Sequence, residues 1–197
     1  MMSRLLRALL LAGLLSACSS SPARDYYVLS AQSEQAAARQ TGPQRIVSVG
    51  AITLPGALDR PQLARRVGPN QFEYAESERW AGPLDDMMRR VLSADLRSML
   101  LPAGTRVIAA GSPAPAETTI AIEVSRFDAD QAGRVELDAS WEMLDNNGKI
   151  VGVPREAKIV EPGTGSDAAT VAATMSRALA GLAEHIALDI SRTAAMH

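Results

Sequence analysis

Between Val135 and Met143 every second residue is apolar: Val135, Leu137, Ala139, Trp141 and Met143 alternate with Glu136, Asp138, Ser140 and Glu142. A period of two belongs to a β-strand, whose successive side chains point to opposite faces. One face of such a strand must be covered while the other meets water, the habit of an antiparallel sheet. Ile120, Ile122 and Val124 carry the same alternation upstream. Asp145-Asn146-Asn147-Gly148 supplies a tight turn, and Lys149 to Val160 reads as the returning strand. Pro154 confines that part of the strand to an edge or a bulge. The rest of the chain must therefore provide a cover for one face of a sheet.

Two segments of helical period can provide it. Leu84, Met87, Met88, Val91, Leu92, Leu96, Met99 and Leu100 recur at steps of three and four, giving a single apolar stripe. Pro83 suits a first helical residue, Asp85 and Asp86 sit at the positive end of the dipole, and Pro102 stops the helix. The methionines of this stripe read as core rather than as a soft binding groove. Val171, Met175, Ala178, Leu179, Leu182, Ile186 and Ile190 make a second stripe, with Ser166 placed to cap it. Upstream, Tyr26 to Leu29 and Ile46 to Leu54 read as strands, the second broken by Pro55 and Gly56. Gln62 to Val67 and Gln71 to Ala75 flank a turn at Gly68-Pro69-Asn70, and the Gln- and Ala-rich stretch from Ala31 to Gln44 reads as a mobile loop. The order is strands, helix, strands, helix, with no repeated strand–helix alternation. It predicts an α+β fold: a mainly antiparallel sheet with two long helices packed on one face.

The first seventeen residues stand apart. Arg4 and Arg7 precede an apolar core from Leu5 to Leu15, and the small residues Ser16 and Ala17 follow. That is the layout of a secretory signal peptide, too short to span a bilayer. Next comes Cys18, the only cysteine in the chain. Leu15-Ser16-Ala17-Cys18 resembles the bacterial lipobox, in which the cysteine is acylated and becomes the first residue. This divides the chain into a signal peptide (1–17), a lipidated tether (18–24) and one folded domain (25–197). No cofactor is expected beyond the diacylglycerol and acyl (palmitate-type) groups on Cys18. Three acyl chains are enough for stable anchoring at about 0.8 kcal/mol per buried CH₂, and the six residues Ser19 to Arg24 reach only about 20 Å. By resemblance to lipoprotein sorting, Ser19 after the cysteine directs the protein to the outer membrane, on its periplasmic face.

Charge and motif content exclude several functions. Loss of Arg4 and Arg7 takes the net charge from −2 to −4, which argues against nucleic acid and against electrostatic attraction to anionic lipid. One cysteine and two histidines exclude a disulfide framework and a cysteine-rich metal site. His185 reads as a flanking helix residue, and His197 ends the chain. Gly163-Thr164-Gly165-Ser166 lacks the lysine of a phosphate loop, and no Gly-x-Ser-x-Gly elbow is present. Glu76, Glu78, Asp85 and Asp86 read as strand alternation and a helix start rather than as paired catalytic carboxylates. No catalytic residue and no metal ligand is assigned, and the chain reads as a non-enzyme.

Two segments are over-specified for mere connection. Leu54 to Leu63, followed by Arg65 and Arg66, and Glu73 to Leu84 both pack charges and prolines around large apolar groups. Each fits either local folding, with Trp80 plugging the core beside the first helix, or a recognition surface. Together with the lipobox, Tyr27-Val28-Leu29 and Arg126-Phe127-Asp128, these segments resemble the ABC-type transport auxiliary lipoprotein family, which includes the PqiC-like lipoproteins. The resemblance implies a docking role in moving lipid or another hydrophobic solute across the envelope. It also implies association with an MCE-domain periplasmic protein and, indirectly, with an inner-membrane permease and its ATPase; self-association would suit such a role. Asp59, Arg60, Arg66, Glu76, Arg79 and Trp80 are the residues expected to form or support the partner surface. A carrier that itself holds an acyl chain between helices and sheet, and a purely structural envelope lipoprotein, are the alternatives.

Overall fold

The computed structural model describes residues 23–32, 45–108 and 115–195. The signal peptide, Cys18, most of the expected Ala31–Gln44 loop and His197 lie outside the described residues. The elements, in chain order, are β1 (Asp25–Tyr27), β2 (Arg45–Thr53), β3 (Gln62–Gly68), β4 (Gln71–Trp80), α1 (Leu84–Leu100), β5 (Thr105–Ile108), β6 (Thr118–Asp130), β7 (Val135–Asp145), β8 (Ile150–Glu161) and α2 (Ala168–Ala195), with a 3₁₀ turn at Leu101–Ala103. The architecture is α+β, as the two hydrophobic periods require: one mixed, mostly antiparallel sheet with two helices on one face.

β6 organises the sheet. One of its edges pairs antiparallel with β7 along its length, and β7 pairs antiparallel with β8. Its other edge is shared end to end. β2 runs parallel beside the first half, from Val47↔Thr118 to Thr53↔Glu123, and β3 runs parallel beside the end, at Arg65↔Ala129 and Arg66↔Asp130. The segment from Leu54 to Pro61 is thus an excursion between two strands that follow the same edge in the same direction. β4 folds back antiparallel on β3, while β1 pairs parallel with β4 and β5 with β2. These parallel pairings join segments far apart in sequence, so alternation alone did not reveal them.

The alternating residues lie where their period demands. Val135, Leu137, Ala139, Trp141 and Met143 of β7 are all buried, as are Ile120, Ile122 and Val124 of β6. A register shift between Val124 and Arg126 then changes the parity of β6, so that Phe127 and Ala129 also point inward. β8 carries the expected bulge: Trp141↔Arg155 is followed by Met143↔Val151, and Pro154 lies in the surplus. α1 packs on β2 and β5, α2 packs on β7 and β8, and the helices pack on each other. Met87, Met88, Leu92 and Leu96 from α1 and Leu179, Leu182 and Ile186 from α2 fill the space above the sheet with Phe127 and Leu137, so the stripe methionines are core. A buried polar tie crosses the layers: the Trp141 Nε1–H donates to buried Asp189 of α2 at 3.2 Å, and Arg155 Nε donates to the same carboxylate at 3.3 Å.

Two local readings need correction. Ser166 does not cap α2. The helix begins at Ala168, and the Asp167 carboxylate accepts the Thr170 N–H at 2.9 Å, while the Asp167 carbonyl accepts the Val171 N–H. An aspartate next to a serine is an equally good cap, and the loop before it decides which one is used. That loop is fixed by glycine. A β-carbon on Gly163 would strike the Ala132 carbonyl, and one on Gly133, whose φ is +80°, would strike the Gly165 carbonyl. The β6–β7 turn therefore lies directly against 163–165 and sets where α2 starts. Pro83 likewise stands one residue earlier than expected, at the cap position itself, with no side-chain cap bond.

The hydrogen bonds from Thr170 hold the Asp167 carboxyl below its ordinary pKa. A carboxyl depressed in the folded state stabilises above its unfolded pKa of about 3.9. That contribution is lost as pH falls through the folded value. Asp167→Asn keeps a capping oxygen but removes the titration. It should leave stability at neutral pH nearly unchanged and flatten its fall below about pH 4, while Ser166→Ala should alter neither. Thermal melts across that pH range test both.

Candidate docking site

The two over-specified segments meet. Trp80 N–H donates to the Pro61 carbonyl at 2.8 Å, and Gln62 is in register with Arg79. Between them lies an open cleft of about 340 Å³, lined by Asp59, Arg60, Pro61, Trp80, Ala81, Gly82, Pro83 and Leu84. Asp59, Arg60 and Pro61 are exposed at its rim, whereas Trp80 is 5% exposed and Leu84 4%. The floor is therefore continuous with the core, and the rim is charged. The excursion that carries the rim is folded on itself: Leu58 N–H and Asp59 N–H both donate to the Pro55 carbonyl, and buried Leu58 pins the loop to the core.

A line of side chains runs from this rim across the outer sheet face. The Arg60 guanidinium lies over the Tyr74 ring at 5.0 Å, and the Tyr74 hydroxyl donates to the Ala57 carbonyl at 3.2 Å. Tyr74 neighbours Phe72, with ring centroids 6.3 Å apart, and Arg66 lies over Phe72 at 4.4 Å. Arg66 then grips Asp128 with two bonds, Nε to Oδ1 at 3.0 Å and a terminal nitrogen to Oδ2 at 2.8 Å. Asp128 is 1% exposed and also accepts from Arg126 Nε at 3.2 Å. Arg126 and Arg134 pair with Glu136, and Lys158 of β8 stands 3.5 Å from Glu136 and 3.8 Å from Asp138. The hydrogen bond to Asp128 raises the pKa of Arg66 above its ordinary value.

The geometry sorts the residues singled out from the sequence. Asp59 and Arg60 are exposed at the cleft, and Glu76 is exposed on β4. Trp80 forms the cleft floor and part of the core at once. Arg66 faces the outer side but is committed to Asp128, Phe72 and the Pro69 carbonyl. Arg79 is partly buried, and its Nε has no hydrogen-bond partner among the described residues. His185 is exposed on α2. The ionic line through Asp128 was not found by sequence reasoning. Its trace was present in the charges of Arg126 and Asp128 on one strand and Glu136 and Asp138 on the next, but the parallel pairing that delivers Arg66 was not.

With cleft and line in place, comparison with known proteins defines the class. The chain matches the family described as "ABC-type transport auxiliary lipoprotein component" over residues 27–187, and it belongs to that family. Among its relatives is the intermembrane transport lipoprotein PqiC of Escherichia coli (strain K12), 27% identical over 183 residues, covering 90% of this chain and 92% of that one. PqiC of Shigella flexneri matches to the same extent. The fold recurs in a crystal structure of an uncharacterised protein, with a TM-score of 0.71, 20% identity, and 85% of this chain and 99% of that one covered. It recurs again in a Xanthomonas campestris protein, with a TM-score of 0.63, 19% identity, and coverage of 82% and 92%. The chain is thus a transport-system lipoprotein with an α+β domain. No helix among the described residues is long and apolar enough to cross a membrane.

Arg60 and Arg66 should separate cleanly by stability. Arg66→Ala removes two charge-assisted bonds from a buried carboxylate and should cost about 2–3 kcal/mol. Arg60→Ala loses one exposed cation–π contact and should cost less than about 1 kcal/mol. Urea unfolding midpoints measure the difference, and equal losses would contradict the assignment.

Proposed function

We propose that this lipoprotein is a non-catalytic docking component of an MCE-type ABC transport system that moves lipid or another hydrophobic solute across the cell envelope. Acyl groups on Cys18 hold it at the periplasmic face of the outer membrane, and the cleft between the Asp59–Pro61 rim and Trp80–Leu84 receives the MCE-domain periplasmic protein. Asp59, Arg60 and Glu76 make contact, while Arg66, Arg79 and Trp80 support the surface from below.

The observation that carries this reading is convergence: the two over-specified segments, at the open end of one hairpin, form one exposed cleft with a charged rim and an apolar floor. Recognition surfaces combine such a buried anchor region with a polar rim. The family's description as an auxiliary component supports a role beside the transport machinery rather than in catalysis. Against the carrier alternative stands the filled interlayer, where Leu92, Leu96, Phe127, Leu179 and Leu182 are each fully buried. An acyl chain lodged there would have to displace core side chains.

Arg60→Glu in the lipidated protein should leave the melting temperature within the range of a surface substitution and reduce capture of the MCE-domain partner by at least tenfold. Trp80→Ala should lower both stability and capture. Unchanged capture by Arg60→Glu would move the partner surface elsewhere. Mass analysis of the mature amino terminus checks the anchor: a diacylglycerol-bearing Cys18 is expected, and an unmodified terminus removes that part of the reading.

A further inference from the structure

We infer that Tyr26 and Val28 form a membrane-contact edge that seats the domain on the lipid headgroup layer in a fixed orientation. This rests on the anchored reading above and goes beyond it, because an acyl tether alone fixes distance but not orientation.

Three observations converge. Tyr26 is 62% exposed and Val28 56% exposed, while Tyr27 packs against the core and Leu29 is buried at 7%. The segment thus alternates inward and outward, and its outward residues are large and apolar rather than polar. Asp25 is only seven residues beyond Cys18. Fully extended, that stretch spans about 25 Å, so this edge cannot leave the neighbourhood of an acylated Cys18. Finally, β1 is the end strand of the sheet, bonded to β4 and to no other strand among the described residues. The opposite end strand, β8, lies five strand spacings away along β4, β3, β6 and β7, roughly 24 Å at ordinary sheet spacing.

The chemistry suits a bilayer interface. A tyrosine with an apolar ring and a polar hydroxyl belongs at headgroup depth, with an aliphatic residue beside it. Arg24 and Asp25, which directly precede the pair, carry opposite charges, so contact depends on apolar insertion and not on attraction to anionic lipid. It should therefore persist at high salt.

The test uses the lipidated protein in vesicles of phosphatidylethanolamine and phosphatidylglycerol, with and without bromine-labelled acyl chains. Three variants are compared: Tyr26→Trp, Val28→Trp and, at the far edge, Val153→Trp. Trp80 and Trp141 are buried and supply a constant background. Flotation with the vesicles first establishes anchoring. Emission at positions 26 and 28 should then shift to the blue and be quenched by brominated lipid at low and high salt, while emission at 153 should do neither. Flotation without quenching at 26 or 28 overturns the inference and leaves the anchor standing. Equal quenching at 26 and 153 overturns it as well, since the domain would then have no preferred face. A blue shift without bromine quenching assigns the edge to a second copy or another protein and likewise overturns it. Failure to float removes the anchor and the inference together.

Discussion

The cleft stays where it is because a buried carboxylate is held by two arginines from two strands. The β3–β4 hairpin, which carries half of the cleft, meets β6 over a short parallel ladder with only Arg65↔Ala129 and Arg66↔Asp130 in register. Two paired positions are a weak attachment for a hairpin whose open end carries the cleft rim. Asp128 reinforces it, for Arg66 reaches it from β3 and Arg126 from β6 itself. Removing a carboxylate from water costs several kcal/mol, and only good geometry with further hydrogen bonds offsets that. The net gain in stability is therefore modest, and the gain in specificity is larger. A slip of β3 by one residue would turn Arg66 to the other face and leave Asp128 half satisfied. The ion pair thus sets the register of the hairpin, and the register sets the cleft.

The same arrangement explains why Arg66 and Arg60 differ although both lie among the segments marked as a recognition surface. Arg60 sits at the end of the line, on a loop, over one face of Tyr74. Arg66 sits in its middle, between Phe72 and Asp128. Sequence cannot separate the two, because the distinction depends on which residue the parallel pairing brings to Asp128, 62 positions away.

What was legible from sequence follows physical range. Period-two alternation located β6 and β7, and period-3.6 stripes located α1 and α2, since burial on one face leaves its mark residue by residue. The hairpin turn before Gly148 was legible because the Asp145 side chain accepts the N–H groups of Asn147 and Lys149, a local bond. The cap at Asp167 was misplaced by one residue, because the choice is made by close backbone contact between 163–165 and the β6–β7 turn. The parallel pairings of β1, β2, β3 and β5 left no trace, for a parallel neighbour demands no particular residue from its partner. The candidate site was half legible: its two segments stood out and the turn at Gly68-Pro69-Asn70 joined them as a hairpin, whereas the ion pair through Asp128 that holds this hairpin on β6 left no local mark.

The first strand and the cleft are mechanically one unit. Tyr27 is in register with Trp80, and the Tyr27 carbonyl accepts the Ala81 N–H at 2.9 Å, so the strand closest to the tether is bonded to the strand that enters the cleft. Beyond β1 the chain crosses the helices rather than hanging free: the Ser30 N–H donates to Ser176 of α2 and the Gln32 N–H to Asp95 of α1, with Leu29 buried between. A load on β1 is therefore shared by β4 and both helices. Immobilising a side chain or a loop on association costs about 0.5–1.5 kcal/mol for each group ordered, and a cleft already fixed to β1 and both helices leaves fewer groups to order on association.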